Sequence, residues 1–330
     1  MTTATIRRVR HRPVSEDVIG IAFGLLALGL VVARAVHVGE VPAVETFTLV
    51  LVSIVVEALP FILLGALVSA LLAALVSDDA FARAGRLPRA VQLPCAAVGA
   101  FAFPVCDCGT VPVARRLLAR GLDPAASLTF MFAAPVVNPL VLASTYVAYG
   151  GGRRGTEVAG ARAVVALVVA AAVGVVVGRT VTLRAGEVAA DDEHERRNRL
   201  DTFATHLTHD FLAMGRFLVI GAAAAAFLQI VVPQSSIQGL AAHTVVAELA
   251  LIAVAFALSL CSAADAFVAA SFGAFGTAPQ LAFLAFGPIA DAKLTVLYSA
   301  TFRRSFAARV LVVAVPVVIV AALLAAQVIG

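Results

Sequence analysis

Apolar residues in this chain fall into long blocks, and short clusters of arginine separate the blocks. Blocks near 18–36, 43–76, 124–149, 158–180, 207–232, 279–300 and 306–328 are long enough to cross a membrane, since a hydrocarbon core takes a helix of ~20 residues. They are too long and uniform for strands, and lipid admits only helices or closed barrels. The pattern predicts an all-α polytopic membrane protein with about seven full spans. The second block exceeds an upright helix; Pro60 predicts a kink, and the neighbouring Glu57 is expected to face protein or water.

Two further segments, 91–120 and 245–276, carry helix breakers and either cross once or enter and return as re-entrant hairpins of two half-helices. With the N-terminus cytoplasmic and both segments re-entrant, 18 arginines fall on the inside. Four (Arg34, Arg153, Arg154 and Arg162) fall outside, and Arg216 and Lys293 stay in apolar segments. If both segments cross, the same residues divide 13 against 9. The positive-inside tendency therefore favours hairpins and a cytoplasmic N-terminus. Arg115 and Arg116 are then expected to anchor the first hairpin at the cytoplasmic surface.

The chain also repeats itself. "CDCGTVPVA" (106–114) aligns on "CSAADAFVA" (261–269), and "FMFAAPVVN" (130–138) aligns on "FLAFGPIAD" (283–291). Cys106 thereby meets Cys261, Pro135 meets Pro288 and Asn138 meets Asp291; a weaker match sets Gly65 opposite Gly221. Three full spans between Cys106 and Cys261 turn the halves opposite ways, the inverted-repeat plan of many transporters. The expected organisation is a basic tail (1–17), a signal-anchor span and loop (18–42), membrane repeat 1 (43–180), a charged cytoplasmic linker (181–205) and membrane repeat 2 (206–330).

Composition agrees. The 330 residues are 62% hydrophobic and 13% charged, with a mean hydropathy of +1.01. The pI near 9.2 reflects arginines between apolar runs, where they set orientation, and implies no nucleic-acid partner. Lipid is the first partner, in the inner cell membrane. The four cysteines fall in apolar segments, which argues against a structural disulfide framework.

Candidate chemistry centres on "FPVCDCGTVPVARRL" (103–117). Gly109 and Pro112 are expected to break the helix just after Cys106 and Cys108, and a new helix from about Thr110 would aim its positive end at the thiols. If the hairpins meet, Cys106, Cys108 and Cys261 could surround one soft ion or solute, with Asp107, Gly109 and Asn138 beside them. Cys95 reads as a packing residue. Ionisable groups in apolar segments default to function: Asp265 and Asp291 are candidates for a protonation step, and Lys293 either joins that step or neutralises an aspartate. Glu248 is expected to reach the interface. "HLTHD" places His206, His209 and Asp210 on one helical face, either the polar start of a membrane helix or a metal site. His194, in the linker, could sense a metal.

These residues resemble a known family. "FPVCDCGTVPVARRLLARG", "AAPVVNP", "CSAADAFVA" and "FGPIADA" are similar to motifs of the YraQ-like predicted permeases, which include exporters of trivalent organoarsenicals. The resemblance covers about 43–328. It implies a multi-span permease without an ATPase domain, and no GxxxxGK[ST] loop is present. By resemblance, Cys106 and Cys108 meet a soft substrate and Cys261 and Asp265 are their second-half counterparts. Asp107 stands where the family commonly has serine, and Phe267 where it often has proline. The expected activity is therefore transport, not enzyme catalysis, and no cofactor is expected. Arsenical export is one cargo. Divalent-metal transport with a second membrane subunit or as a homo-oligomer, thiol–disulfide chemistry at Cys106 and Cys108, and a non-transporting subunit are the alternatives.

Overall fold

The computed structural model describes residues 42–75, 83, 87–102, 106–181, 199–231, 244–303 and 305–329. The expected basic tail, the span at 18–36 and His194 lie outside the described residues. The described residues are helical throughout, in one order given twice. The first half has α1 (Pro42–Leu75), α2 (Arg89–Ala102), α3 (Asp107–Ala119), α4 (Pro124–Val137), α5 (Pro139–Ala148) and α6 (Gly152–Gly178). The second has α7 (Arg199–Val231), α8 (Thr244–Leu258), α9 (Asp265–Ser271), α10 (Thr277–Phe286), α11 (Ala292–Thr301) and α12 (Ser305–Ile329). In each half a long helix, four half-helices in two broken pairs and a second long helix follow one another.

Among the described residues, four segments are long and apolar enough to cross a membrane: Glu45–Leu71, Pro124–Ala148, Gly152–Gly178 and Ser305–Ile329. The spans expected at 207–232 and 279–300 map to α7, with an apolar stretch at Met214–Phe227, and to α10 with α11, interrupted in mid-course. At ~1.5 Å per residue, the 34 residues of α1 extend ~51 Å, beyond a single hydrocarbon core, and the helix runs unbroken through Pro60.

Both breaks between half-helices have local causes. Asn138 caps α5, its Oδ1 accepting from Val141 N at 3.0 Å, with Pro139 at the first helical position. Asp291 caps α11 in the same way, Oδ1 accepting from Leu294 N at 2.6 Å. Both pairs differ by 153 positions (291 − 138 and 294 − 141), the offset of the sequence match. At the cysteine breaks, Cys106 O accepts from Gly109 N and Thr110 N, and Cys261 O accepts from Ala264 N and Asp265 N, both pairs at an offset of 155.

The direction of each cysteine segment follows from its ends. Asp123 N, just past α3, donates to Gln92 Oε1 near the start of α2 at 3.2 Å, so α2 and α3 begin and end together as a hairpin. Gly178 lies against Ala125 and Arg309 Nη1 donates to Thr180 O at 3.4 Å, which places the C-terminal end of α6 and the start of α12 at that same end of the bundle. At the opposite end, Tyr149 OH donates to Gln280 Oε1 at 2.9 Å and Arg154 Nη2 donates to Thr277 Oγ1 at 2.8 Å. Gln280 Nε2 also holds Phe272 O, at 3.0 Å, so α9 ends at this second end. Gly287, closing α10, lies against Ala255 of α8 and Asp265 of α9, and α8 packs along α10. The second hairpin therefore opens toward the end opposite the first, and the tips of both point inward.

Close approach fixes the tips. A Cβ on Gly65 of α1 would overlap the Gly109 carbonyl of α3, and one on Gly221 of α7 would come within 2.7 Å of Lys293 Cα in α11. The glycines matched in the sequence are thus both contact points, but onto different partners.

Candidate functional site

The tips of the two hairpins and the break before α11 meet around a cavity of about 280 Å³. Cys106, Asp107 and Cys108 line it from the first hairpin, Ser259, Leu260 and Cys261 from the second, and Lys293 from α11. Its remaining wall is α1, through Leu49, Val50, Ser53, Ile54, Glu57 and Ala58. Glu57 is exposed and borders the cavity, as expected of a polar group beside Pro60. Cys106 and Cys108 are buried, Cys261 is half-buried, and all four cysteines are free thiols.

The helix starts earlier than the sequence suggests. Cys106 is the N-cap of α3, and Asp107 and Cys108 occupy its first turn. Gly109 and Pro112 lie within the helix, so the break precedes the thiols instead of following them. Pro112 is the sixth residue of α3 and has no N–H to offer Cys108 O, so the helix runs through it with one backbone bond fewer. Asp107 suits the first turn because its charge opposes the positive end of the helix. Cys108 Sγ donates to Asp107 Oδ2 at 3.8 Å.

Lys293 is the centre of the charged wall. Its Nζ lies 3.1 Å from Asp107 Oδ2 and 3.3 Å from Asp291 Oδ2, and donates to Ser259 O and Leu260 O, both at 3.0 Å. The two carbonyls are at the end of α8, where helical partners run out. Ser259 has φ 49°, an uncommon conformation for a residue with a side chain. Lys293 thus faces two aspartates at once, the contact that its neutralising reading requires.

Asp265 lies apart from this wall. Arg162 Nη2 contacts both its carboxylate oxygens, at 2.9 and 3.0 Å, and also donates to Ser262 O at 2.8 Å, while Nη1 donates to Thr145 Oγ1 at 2.7 Å. Arg162, expected in an outside loop, is fully buried in α6. Its position inside the apolar block 158–180 was the signal that it belongs to the interior. Arg115 and Arg116 are likewise buried and do not sit at the surface; Arg116 Nε donates to Ser69 Oγ of α1 at 3.3 Å. Glu248, expected at an interface, is fully buried on α8. Cys95 faces outward from α2.

Asn138 does not line the cavity; its side chain is occupied with the cap and with Ala134 O at 3.4 Å. Gly109 contributes through its contact with Gly65. His206, His209 and Asp210 lie on α7, but their side chains fall outside the described residues. Among the described residues, no three His, Cys, Asp or Glu side chains converge closely enough to hold one metal ion. The three sulfurs thus share a cavity without forming a preassembled metal site.

Hairpins with broken helices whose tips meet at a cavity fit a membrane permease architecture. The chain matches the model of the predicted permease family ArsP_1 over residues 43–328 and belongs to that family. It is 34% identical over 284 residues to the UPF0718 protein YcgR of Bacillus subtilis, covering 83% of this chain and 95% of that protein. It is 32% identical over 265 residues to a Streptococcus mutans protein described as a subunit of a two-component membrane permease complex, covering 78% of this chain and 87% of that one. No solved structure matches the chain.

Proposed function

We propose that the chain is an inner-membrane permease that exports a small thiophilic solute, a trivalent organoarsenical being the best fit, through the cavity between the hairpin tips. The observation that carries this reading is that Cys106, Cys108 and Cys261, from two separate hairpins, line one cavity of about 280 Å³. Soft sulfur ligands select soft solutes. A trivalent arsenical with two hydroxyl groups would exchange two As–O bonds for two As–S bonds, each thiol proton leaving on a hydroxide as water. Rocking of the halves about the cavity would expose it to each side in turn, with the N-terminus cytoplasmic and no chemical turnover. Proton exchange at the Asp291–Lys293 pair would drive the cycle; Glu57, Cys106, Asp107, Cys108 and Cys261 are the other titratable groups around the cavity. Asp265, held by Arg162, would help position the second hairpin.

A divalent-metal permease is a second reading, favoured by Asp107 between the cysteines and by the Streptococcus relative's description as a complex subunit, which suggests a partner membrane subunit here. One experiment separates them. Cells lacking their own arsenic exporters would carry wild type or Cys106→Ser/Cys108→Ser, equally expressed, and be exposed to methylarsenite, arsenite or zinc. Lower arsenic by mass spectrometry in wild-type cells alone supports the first reading, and a change in zinc alone supports the second. No change in any would refute both.

A further inference from the structure

We infer that the ammonium of Lys293 is a built-in cation: it fills an oxygen cage that, without the lysine, is a binding site for a monovalent metal ion such as potassium or sodium. Four oxygens lie within 3.3 Å of Nζ: Ser259 O, Leu260 O, Asp107 Oδ2 and Asp291 Oδ2. An ammonium has only three protons, so four oxygen neighbours suit a central charge better than a set of directed hydrogen bonds. Carbonyl and carboxylate oxygens are hard ligands, the type that selects hard cations. They come from three interrupted stretches of backbone: the start of α3, the end of α8 and the cap of α11. Two are carbonyls at the negative end of a half-helix, where transporters with broken helices hold coupling ions.

The cage is built around a fixed point. Lys293 Cα rests against Gly221 of α7, which has no room for a side chain there, so the lysine stem leaves from a set position. Ser259 holds a left-handed backbone conformation at the carbonyl that accepts from Nζ, and such strain persists only where the surroundings enforce it. Two carboxylates facing one ammonium leave the cage with one net negative charge. Removing the ammonium leaves two buried carboxylates with no counter-charge from that position, which strongly favours uptake of another cation. The native protein therefore needs no inorganic ion at this point, and its requirement is met by a side chain that carries a proton.

The test is thermal unfolding of the purified full chain in detergent, in potassium chloride, sodium chloride or choline chloride at one ionic strength. Wild type is expected to unfold at the same temperature in all three. Lys293→Ala is expected to unfold earlier in choline and to recover in potassium or sodium, with a midpoint that climbs with cation concentration as binding to the native state requires. Lys293→Ala/Asp107→Asn, with half the negative charge, is expected to lose that response. Equal stability of Lys293→Ala in the three salts would overturn the inference. So would failure to recover folded Lys293→Ala, or its Lys293→Met counterpart, even when potassium is present from extraction onward. Since unfolding is read in the absence of cargo, the outcome is independent of the proposed solute.

Discussion

The buried pair of Arg162 and Asp265 is the most stringent place to test the electrostatic reasoning. Asp265→Ala deletes both carboxylate contacts, at 2.9 and 3.0 Å, and leaves a guanidinium with no exposure to water. Ser262 O and Thr145 Oγ1 continue to accept from it, but neither carries charge. Removing one partner of a buried ion pair costs about 3–5 kcal/mol, because the survivor is a desolvated, uncompensated charge. Arg162→Met strands the carboxylate by the same argument. The double variant Arg162→Met/Asp265→Leu strands neither, so its loss should be smaller than that of either single change, which makes the interaction energy larger than either single loss and places it above the ~0.5–3 kcal/mol usual for contacting residues. The assay is chemical or thermal unfolding of the four proteins in one detergent. If the two single losses simply add in the double variant, the pair is not an ion pair in the working protein. The cycle also addresses proton transfer. Were Asp265 the group that exchanges a proton, Asp265→Asn would keep the fold while uncoupling transport from the proton gradient; the geometry predicts loss of stability instead.

Three other outcomes follow. Gly65→Ala pushes a Cβ into the Gly109 carbonyl, so α1 and α3 must separate; a loss of about 1–3 kcal/mol is expected, visible as reduced monodisperse yield in size-exclusion chromatography. Asn138→Ala removes the cap of α5 and should cost about 0.5–2 kcal/mol in unfolding measurements, whereas Asn138→Ser keeps a capping oxygen without burying a charge and should lose less; equal losses would disprove the capping role. Cys95→Ser, on the outer face of α2, should leave cargo export unchanged, and thiol trapping in cells should find Cys106 and Cys108 persistently reduced. A disulfide that cycles with metabolic state would point to redox chemistry instead.

The sequence makes the broken helices and the repeat legible because both are local or periodic. Asn138 and Asp291 sit at matching positions and make matching caps, and Cys106 and Cys261 accept equivalent turn hydrogen bonds. The start of α3 is misread because Gly109 and Pro112 break helices in general, yet α3 continues through both. Partners across the halves are not legible at all. Arg162 and Asp265 are 103 residues apart, and hydropathy scores an arginine by its type, not by the carboxylate that folding brings to it. The same limit applies to Arg115 and Arg116, which any count of loop arginines assigns to the surface. Lys293 is visible as a charge in an apolar run, but the four oxygens around it come from three places in the chain.

The exchange of charges between halves also governs how the protein is made. Asp107 belongs to the first half and finds Lys293 in the second; Arg162 belongs to the first and finds Asp265 in the second. When the ribosome has finished the first half, an acid and a base destined for the interior have entered the membrane with their partners still unsynthesised. The 103 residues from Arg162 to Asp265 take roughly 5–20 s at ordinary elongation rates. During that interval the first half is a waiting intermediate, held at the insertion machinery or retaining water around its charges, and only arrival of the second half lets it close.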